Sequence, residues 1–113
     1  MTIMENITFA DFQKLDIRVG EIKSAEEIEG ADKIYKLSVN LGSEERTLVA
    51  GIKQHYPKEE LIGKKVLVLT NLEPRTIRGV ESQGMILCAH PEDRSMLTCT
   101  VPEKDIAPGA KVS

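Results

Sequence analysis

With 113 residues, 41% of them hydrophobic and 29% charged, the chain has the balance of one ordinary globular domain and too little length for two. No run approaches the ~18 apolar residues of a membrane span. The formal net charge of −3 excludes a generally basic, nucleic-acid-coating surface. The first residues, Met1-Thr2-Ile3-Met4-Glu5-Asn6, lack the basic flank and apolar stretch of a signal peptide, so the expected location is cytoplasmic.

Residues 1–14 read as an N-terminal helical segment, with Thr8 as N-cap, Asp11 three residues on, and Phe9, Phe12 and Gln13 at helical spacing. Ile3, Ile7, Phe9 and Phe12 form an apolar cluster that is either packed on the rest of the domain or buried in a partner. Leu15, Ile17 and Val19 alternate with Asp16 and Arg18, as in a half-buried strand. The parity flips after Gly20, which predicts a β-bulge at that glycine. Tyr35–Leu41 and Thr47–Ile52 read as the next two strands, and Tyr56–Leu61 as a short helical turn. Val66–Leu69 is apolar on both faces, so both faces are expected to be covered. Met85–Ala89 and Met96–Val101 read as further strands, and residues 102–113 as a C-terminal extension. Short strands joined by turns predict an all-β domain spanning residues 1–113, a five-stranded OB-fold barrel with short helices and terminal extensions.

The ingredients for catalysis are sparse. His55 and His90 stand in no metal-ligand spacing, Cys88 and Cys99 form no CxxC pair, and neither a GxSxG nor a phosphate-loop pattern occurs. Glu26-Glu27 and Glu44-Glu45 read as solvated surface pairs, and the two cysteines as small hydrophobes kept reduced. The expectation is a binding domain with no catalytic residue, metal or cofactor.

Charge is distributed unevenly along the chain. Residues 46–79 hold 7 basic and 3 acidic side chains, against 5 and 10 in residues 1–45 and 3 and 5 in residues 80–113. A basic middle third can make a local binding face, although Lys58, Lys64 and Lys65 read as solvated. The densest unusual stretch is Asn71 to Met85, which leaves a strand, turns at Pro74, places Arg75 and Arg78 three apart and crosses two glycines. It is either an ordinary connection with solvated arginines or a barrel-rim loop that offers planar guanidinium forks to phosphate oxygens.

Three runs carry a resemblance: Asp16-Ile17-Arg18-Val19-Gly20, Ala31-Asp32-Lys33-Ile34-Tyr35, and Asn71 to Met85 with its Asn-Leu-x-Pro-Arg and Gly-x-x-Ser-x-Gly-Met elements. In this order and separation they resemble the tRNA-binding domain family, found as free-standing tRNA-binding proteins and as domains or subunits of methionyl-tRNA synthetases. The resemblance runs from Phe9 to the C-terminus and implies recognition of tRNA by shape and backbone rather than sequence, in delivery of tRNA to a synthetase, methionyl above others. For RNA contact it implies Lys33, Asn71, Arg75, Arg78, Ser82, Gln83 and Met85. Arg18 ranks second, since it can equally hold a carboxylate within the barrel, and Lys53 is added for its charge alone. It also implies a homodimer joined through the N-terminal segment (Ile3, Ile7, Phe9 and Phe12) and the C-terminal segment. It breaks at Ile28-Glu29-Gly30, where the family usually has His-Pro-Asn, so this loop has lost a ring and gained a negative charge.

The chain has no Trp, 2 Tyr and 2 Phe. With Phe9 and Phe12 assigned to packing and Tyr35 to the inward parity of its strand, Tyr56 is left as the one expected stacking platform. Single-strand binders rely on several such rings, worth ~1–3 kcal/mol per base, so folded RNA is the better expectation. The competing readings are a dimeric protein-binding module of the export-chaperone kind and a dimerisation domain of a synthetase.

Overall fold

The computed structural model describes residues 4–113. Its organising strand is β1 (Ile17–Glu27), long enough at 11 residues to serve several partners in succession. One edge pairs antiparallel with β4 (Lys65–Leu69), from Ile17↔Leu69 to Glu21↔Lys65. The second half pairs with β2 (Tyr35–Asn40), which in turn pairs with β3 (Glu45–Ala50), while β4 pairs with β7 (Met85–Ile86). The resulting order, β3-β2-β1-β4-β7, is an antiparallel five-strand wall.

Alternation fills the inside. Leu37, Val39, Leu48, Val66, Val68 and Ile22 are fully buried, and Leu61 of the one-turn helix α2 (Lys58–Leu61) joins them. Each such side chain contributes about 1.5–3 kcal/mol of transfer free energy. On the other face of β4, Leu67 and Leu69 are only half-buried, so the strand predicted to be covered on both sides is fully covered on one.

Gly20 is not a bulge. The β1–β4 register runs through it unbroken, and the irregularity lies at Lys23, between the Ile22↔Val39 and Ser24↔Ser38 pairs. Gly20 faces the core, where a Cβ would stand 2.6 Å from Val39 Cγ1. The change of pattern arises because Val19 is also buried, on the opposite face. There the C-terminal segment lies along β1: Val19 N donates to Ala110 O at 2.9 Å, and β10 (Lys111–Val112) pairs with Ile17 and Arg18. The predicted extension is therefore partly a strand.

The predicted fifth strand breaks at Leu87, whose amide donates to Leu67 O and whose carbonyl accepts from Thr100 N. The chain thereby passes from β4 to a two-stranded ribbon of β8 (Cys88–Ala89) and β9 (Thr98–Cys99). Of the predicted Met96–Val101 strand, only Thr98–Cys99 has strand form. The helix α1 (Phe9–Gln13) forms as expected, with Thr8 Oγ1 accepting from Asp11 N at 3.1 Å. None of its residues is buried.

Candidate nucleic-acid interface

The segment after β4 is more ordered than a loop. Arg75–Ile77 (β5) and Val80–Ser82 (β6) form a hairpin with Ile77 opposite Val80. The two turn residues, Arg78 at φ 53° and Gly79 at φ 80°, give the mirror-image turn that matches strand twist. Asn or Gly is preferred at the first of these positions, and Arg there costs about 1 kcal/mol. The other non-glycine residue with positive φ is also an arginine, Arg94 at φ 54°, in the turn between β8 and β9.

These two turns flank a groove of about 440 Å³. Leu72, Ile77, Met85 and Leu97 supply apolar lining, with Arg75, Arg94, His90 and the carboxylate of Glu73 beside them. Met85 is 43% exposed. Arg78 Nη1 lies 3.9 Å from where a Cβ on Gly30 would stand, so the Ile28-Glu29-Gly30 loop sits next to the hairpin tip. Lys33, from the same loop, lies behind Gly51, a lining residue, and its carbonyl accepts from Lys53 N at 3.2 Å.

Ion pairing separates the cations into two groups. Of 15 Lys and Arg, nine stand within 4 Å of a carboxylate. Lys64 lies over the Tyr56 ring, 5.8 Å from its centroid. Among the described residues this leaves Lys33, Arg75, Arg78, Arg94 and Lys104 without a counter-charge; Arg75 and Arg94 line the groove, Arg78 sits at the tip of the flanking hairpin, and Lys33 lies in the loop beside Gly51.

The remaining residues expected at the site bond within the protein. Asn71 Oδ1 accepts from Asp16 N at 2.9 Å while Nδ2 donates to Lys14 O at 2.6 Å, pinning the α1–β1 junction to the end of β4. Ser82 Oγ accepts from Val49 N at 2.9 Å and donates to Gly84 O at 3.1 Å. Gln83 Oε1 accepts from Thr47 N at 3.2 Å, and Gln83 N donates to Thr47 O at 2.9 Å. Ser82 and Gln83 thus join the β3 edge to the segment ahead of β7 and nearly close the barrel. Arg18 Nε donates to Asp16 Oδ1 at 2.9 Å and Nη1 to Gly109 O at 3.2 Å. Lys53 Nζ lies 3.1 Å from both Glu27 Oε1 and Ala31 O, and this pairing draws the Glu27 carboxyl below its ordinary pKa.

Residues 17–111 match the model of the putative tRNA binding domain. The chain belongs to this family. It is 50% identical over 109 residues to the methionine–tRNA ligase of Pyrococcus horikoshii, which covers 96% of the chain and 15% of the ligase. The chain thus spans about a sixth of such curated relatives. Among solved structures, the MetRS-related protein from Pyrococcus horikoshii superposes with a TM-score of 0.91 at 41% identity, over 97% of this chain and all of that one. The chaperone CsaA from Bacillus anthracis does so with 0.87 at 27%, over 96% and 100%.

In this tRNA-binding domain, the hydrogen bonds of Asp16 explain its motif of Asp, Ile and Arg at positions 16–18. Its carboxylate accepts from the Thr70 hydroxyl, from Lys111 Nζ at 2.9 Å and from Arg18. These partners, Thr70 first, hold its pKa down at about 2. The domain also corrects the aromatic assignments. Tyr56 is no free platform, because its ring packs against the core and its hydroxyl accepts from Cys99 N at 3.0 Å. Phe9 is 71% exposed, although its ring lies 6.2 Å from that of Phe12. Ile7 is exposed and Phe12 half-buried; Ile3 lies outside the described residues. Arg94 and His90 were not legible in the sequence, since no local pattern announces that the 90–97 turn folds back over the groove. Among the described residues, no helix is long and apolar enough to cross a membrane.

Proposed function

We propose that the domain binds folded tRNA by shape and backbone, without base specificity, with Lys33, Arg75, Arg78 and Arg94 taking phosphates and Met85 lying against the nucleotide they hold. The observation that carries this reading is that Arg75 and Arg94, neither within 4 Å of a carboxylate, line one groove with Arg78 and Lys33 on the adjoining turns, in a chain of net charge −3. Asn71, Ser82, Gln83 and Arg18 act by positioning, and Lys53 is largely neutralised by Glu27. The groove lining includes no Phe, Tyr or Trp, which supports folded RNA over stacked single strands.

The domain is a non-catalytic module that raises the tRNA concentration near a synthetase, methionyl by its relatives, in the cytoplasm. It acts as a homodimer, with the exposed Ile7 and Phe9 and the half-buried Phe12 as the contact, together with Ile3, which lies outside the described residues. The deciding experiment is a gel-shift titration with bulk tRNA, a matched unstructured RNA and duplex DNA at two salt concentrations. Selective retention of tRNA that weakens with salt is expected, because counterion release drives such contacts. A well-folded protein that retained none of the three would favour a second reading, capture of an unfolded polypeptide. That reading draws on the likeness to the chaperone CsaA and on the apolar groove lining.

A further inference from the structure

Cys88 and Cys99 face each other directly across the β8–β9 ribbon. Thr100 N donates to Leu87 O at 3.1 Å, and Cys99 N donates to the Tyr56 hydroxyl at 3.0 Å instead of to Cys88. The 88/99 position is therefore the non-hydrogen-bonded kind of antiparallel pair, in which Cα atoms approach to about 4.5 Å and side chains come closest. Disulfides span Cα separations of about 4.4–6.8 Å, so the bond can form with little backbone movement. Both thiols are free; Cys99 is buried, whereas Cys88 is half-buried and lines the groove.

We propose that Cys88 and Cys99 are an oxidation site, a vicinal dithiol across the ribbon that a hydroperoxide converts to an intramolecular disulfide. The Cys99 thiol is the more readily ionised. A hydrogen bond from Cys88, then the Tyr56 hydroxyl and the charge of Lys64, favour its thiolate, while Cys88 is pushed up and keeps its proton. The Cys99 thiolate attacks one oxygen of the hydroperoxide. An S–O bond forms, the O–O bond breaks, and the departing alkoxide takes a proton to leave as the alcohol. The Cys88 sulfur then attacks the sulfenic sulfur, the S–S bond forms, and the hydroxyl leaves with the Cys88 proton as water. Two thiols lose two electrons between them, and the hydroperoxide gains them. The product ties together the two ends of the turn that carries His90 and Arg94, whatever the groove binds.

The test is to treat the purified protein with hydrogen peroxide, then measure intact mass, titratable thiols and the peptide map. The expected product is a monomeric chain two hydrogens lighter, with both thiols lost, a linkage between residues 88 and 99, and full reversal by dithiothreitol. Hydrogen exchange in the 90–97 turn slows in the oxidised form. In Cys88→Ser the reaction stops at a sulfenic acid on Cys99 that dimedone traps. Thiols that stay titratable, oxygen added without loss of hydrogen, or a disulfide between two chains would each overturn the proposal.

Discussion

The hydroxyl of Ser82 accepts a hydrogen bond from the amide of Val49 at 2.9 Å, so a side chain does in the barrel wall what a neighbouring strand does elsewhere. Ser82→Ala leaves that amide and the Gly84 carbonyl without their partner. An unsatisfied group of this kind costs about 1–3 kcal/mol, which lowers Tm by about 5 °C or more in a domain of this size. Thermal unfolding checks the loss. Protein kept well below its Tm should retain tRNA affinity within about twofold, since the serine hydroxyl is turned into the wall.

Arg78 gives the opposite pairing of effects. Arg78→Asn places a residue suited to positive φ at the hairpin tip, so stability is expected to rise by a few tenths of a kcal/mol up to about 1 kcal/mol. Removing the guanidinium should weaken tRNA binding about fivefold, the equivalent of about 1 kcal/mol. Denaturant unfolding and tRNA titration on the same preparation read the two together. A variant that lost both stability and affinity would give Arg78 a structural duty.

Arg75→Ala and Arg94→Ala should each weaken all tRNAs alike and lower the steepness of the log K against log salt plot by about 1. Binding isotherms at four or more salt concentrations with two unrelated tRNAs provide the check. A change in which tRNA is preferred would contradict recognition by shape alone.

Acid stability depends on Asp16. Folding lowers its pKa from the ordinary 3.8 to about 2, so between those values the unfolded chain binds the proton more readily than the folded one. The contribution is complete above about pH 4 and disappears as pH falls through about 2. The carboxylate is 35% exposed, so solvent screening reduces its worth to about 1 kcal/mol. Asp16→Ala is therefore destabilised at pH 7, and its deficit relative to the parent shrinks as the pH approaches 2. Urea midpoints across pH 2–7 test this.

Phe9 is 71% exposed on a helix none of whose residues is fully buried within its own chain. If it is covered by a second copy, Phe9→Asp abolishes association in sedimentation while leaving the monomer's Tm within about a degree, because surface substitutions change stability by about 0.5 kcal/mol or less.

The barrel was legible in the sequence because its signal is local: alternation at Tyr35–Leu41 marks a strand whatever it pairs with. The bulge was expected three residues early, at Gly20 instead of Lys23, because Val19 is also buried, beside Ala110 and 91 residues before it. The site was legible as a stretch, not as a set of duties. Asn71, Ser82 and Gln83 are as well suited to a backbone amide as to a nucleotide, and residue type does not distinguish the two. Arg75 and Lys53 are equally cationic in sequence, and only the contact with Glu27, across 26 positions, silences one of them. Arg94 became visible once the β8–β9 ribbon returned it to the groove.

The distribution of paired and unpaired cations also bears on how a polyanion arrives. With nine of 15 positive side chains matched to carboxylates and a net charge of −3, the proposed site is a local attraction on a molecule that as a whole repels a polyanion. The acidity of the molecule then acts as an orientation filter. Neutralising carboxylates remote from the groove would speed collision while multiplying the ways in which the RNA could land wrongly.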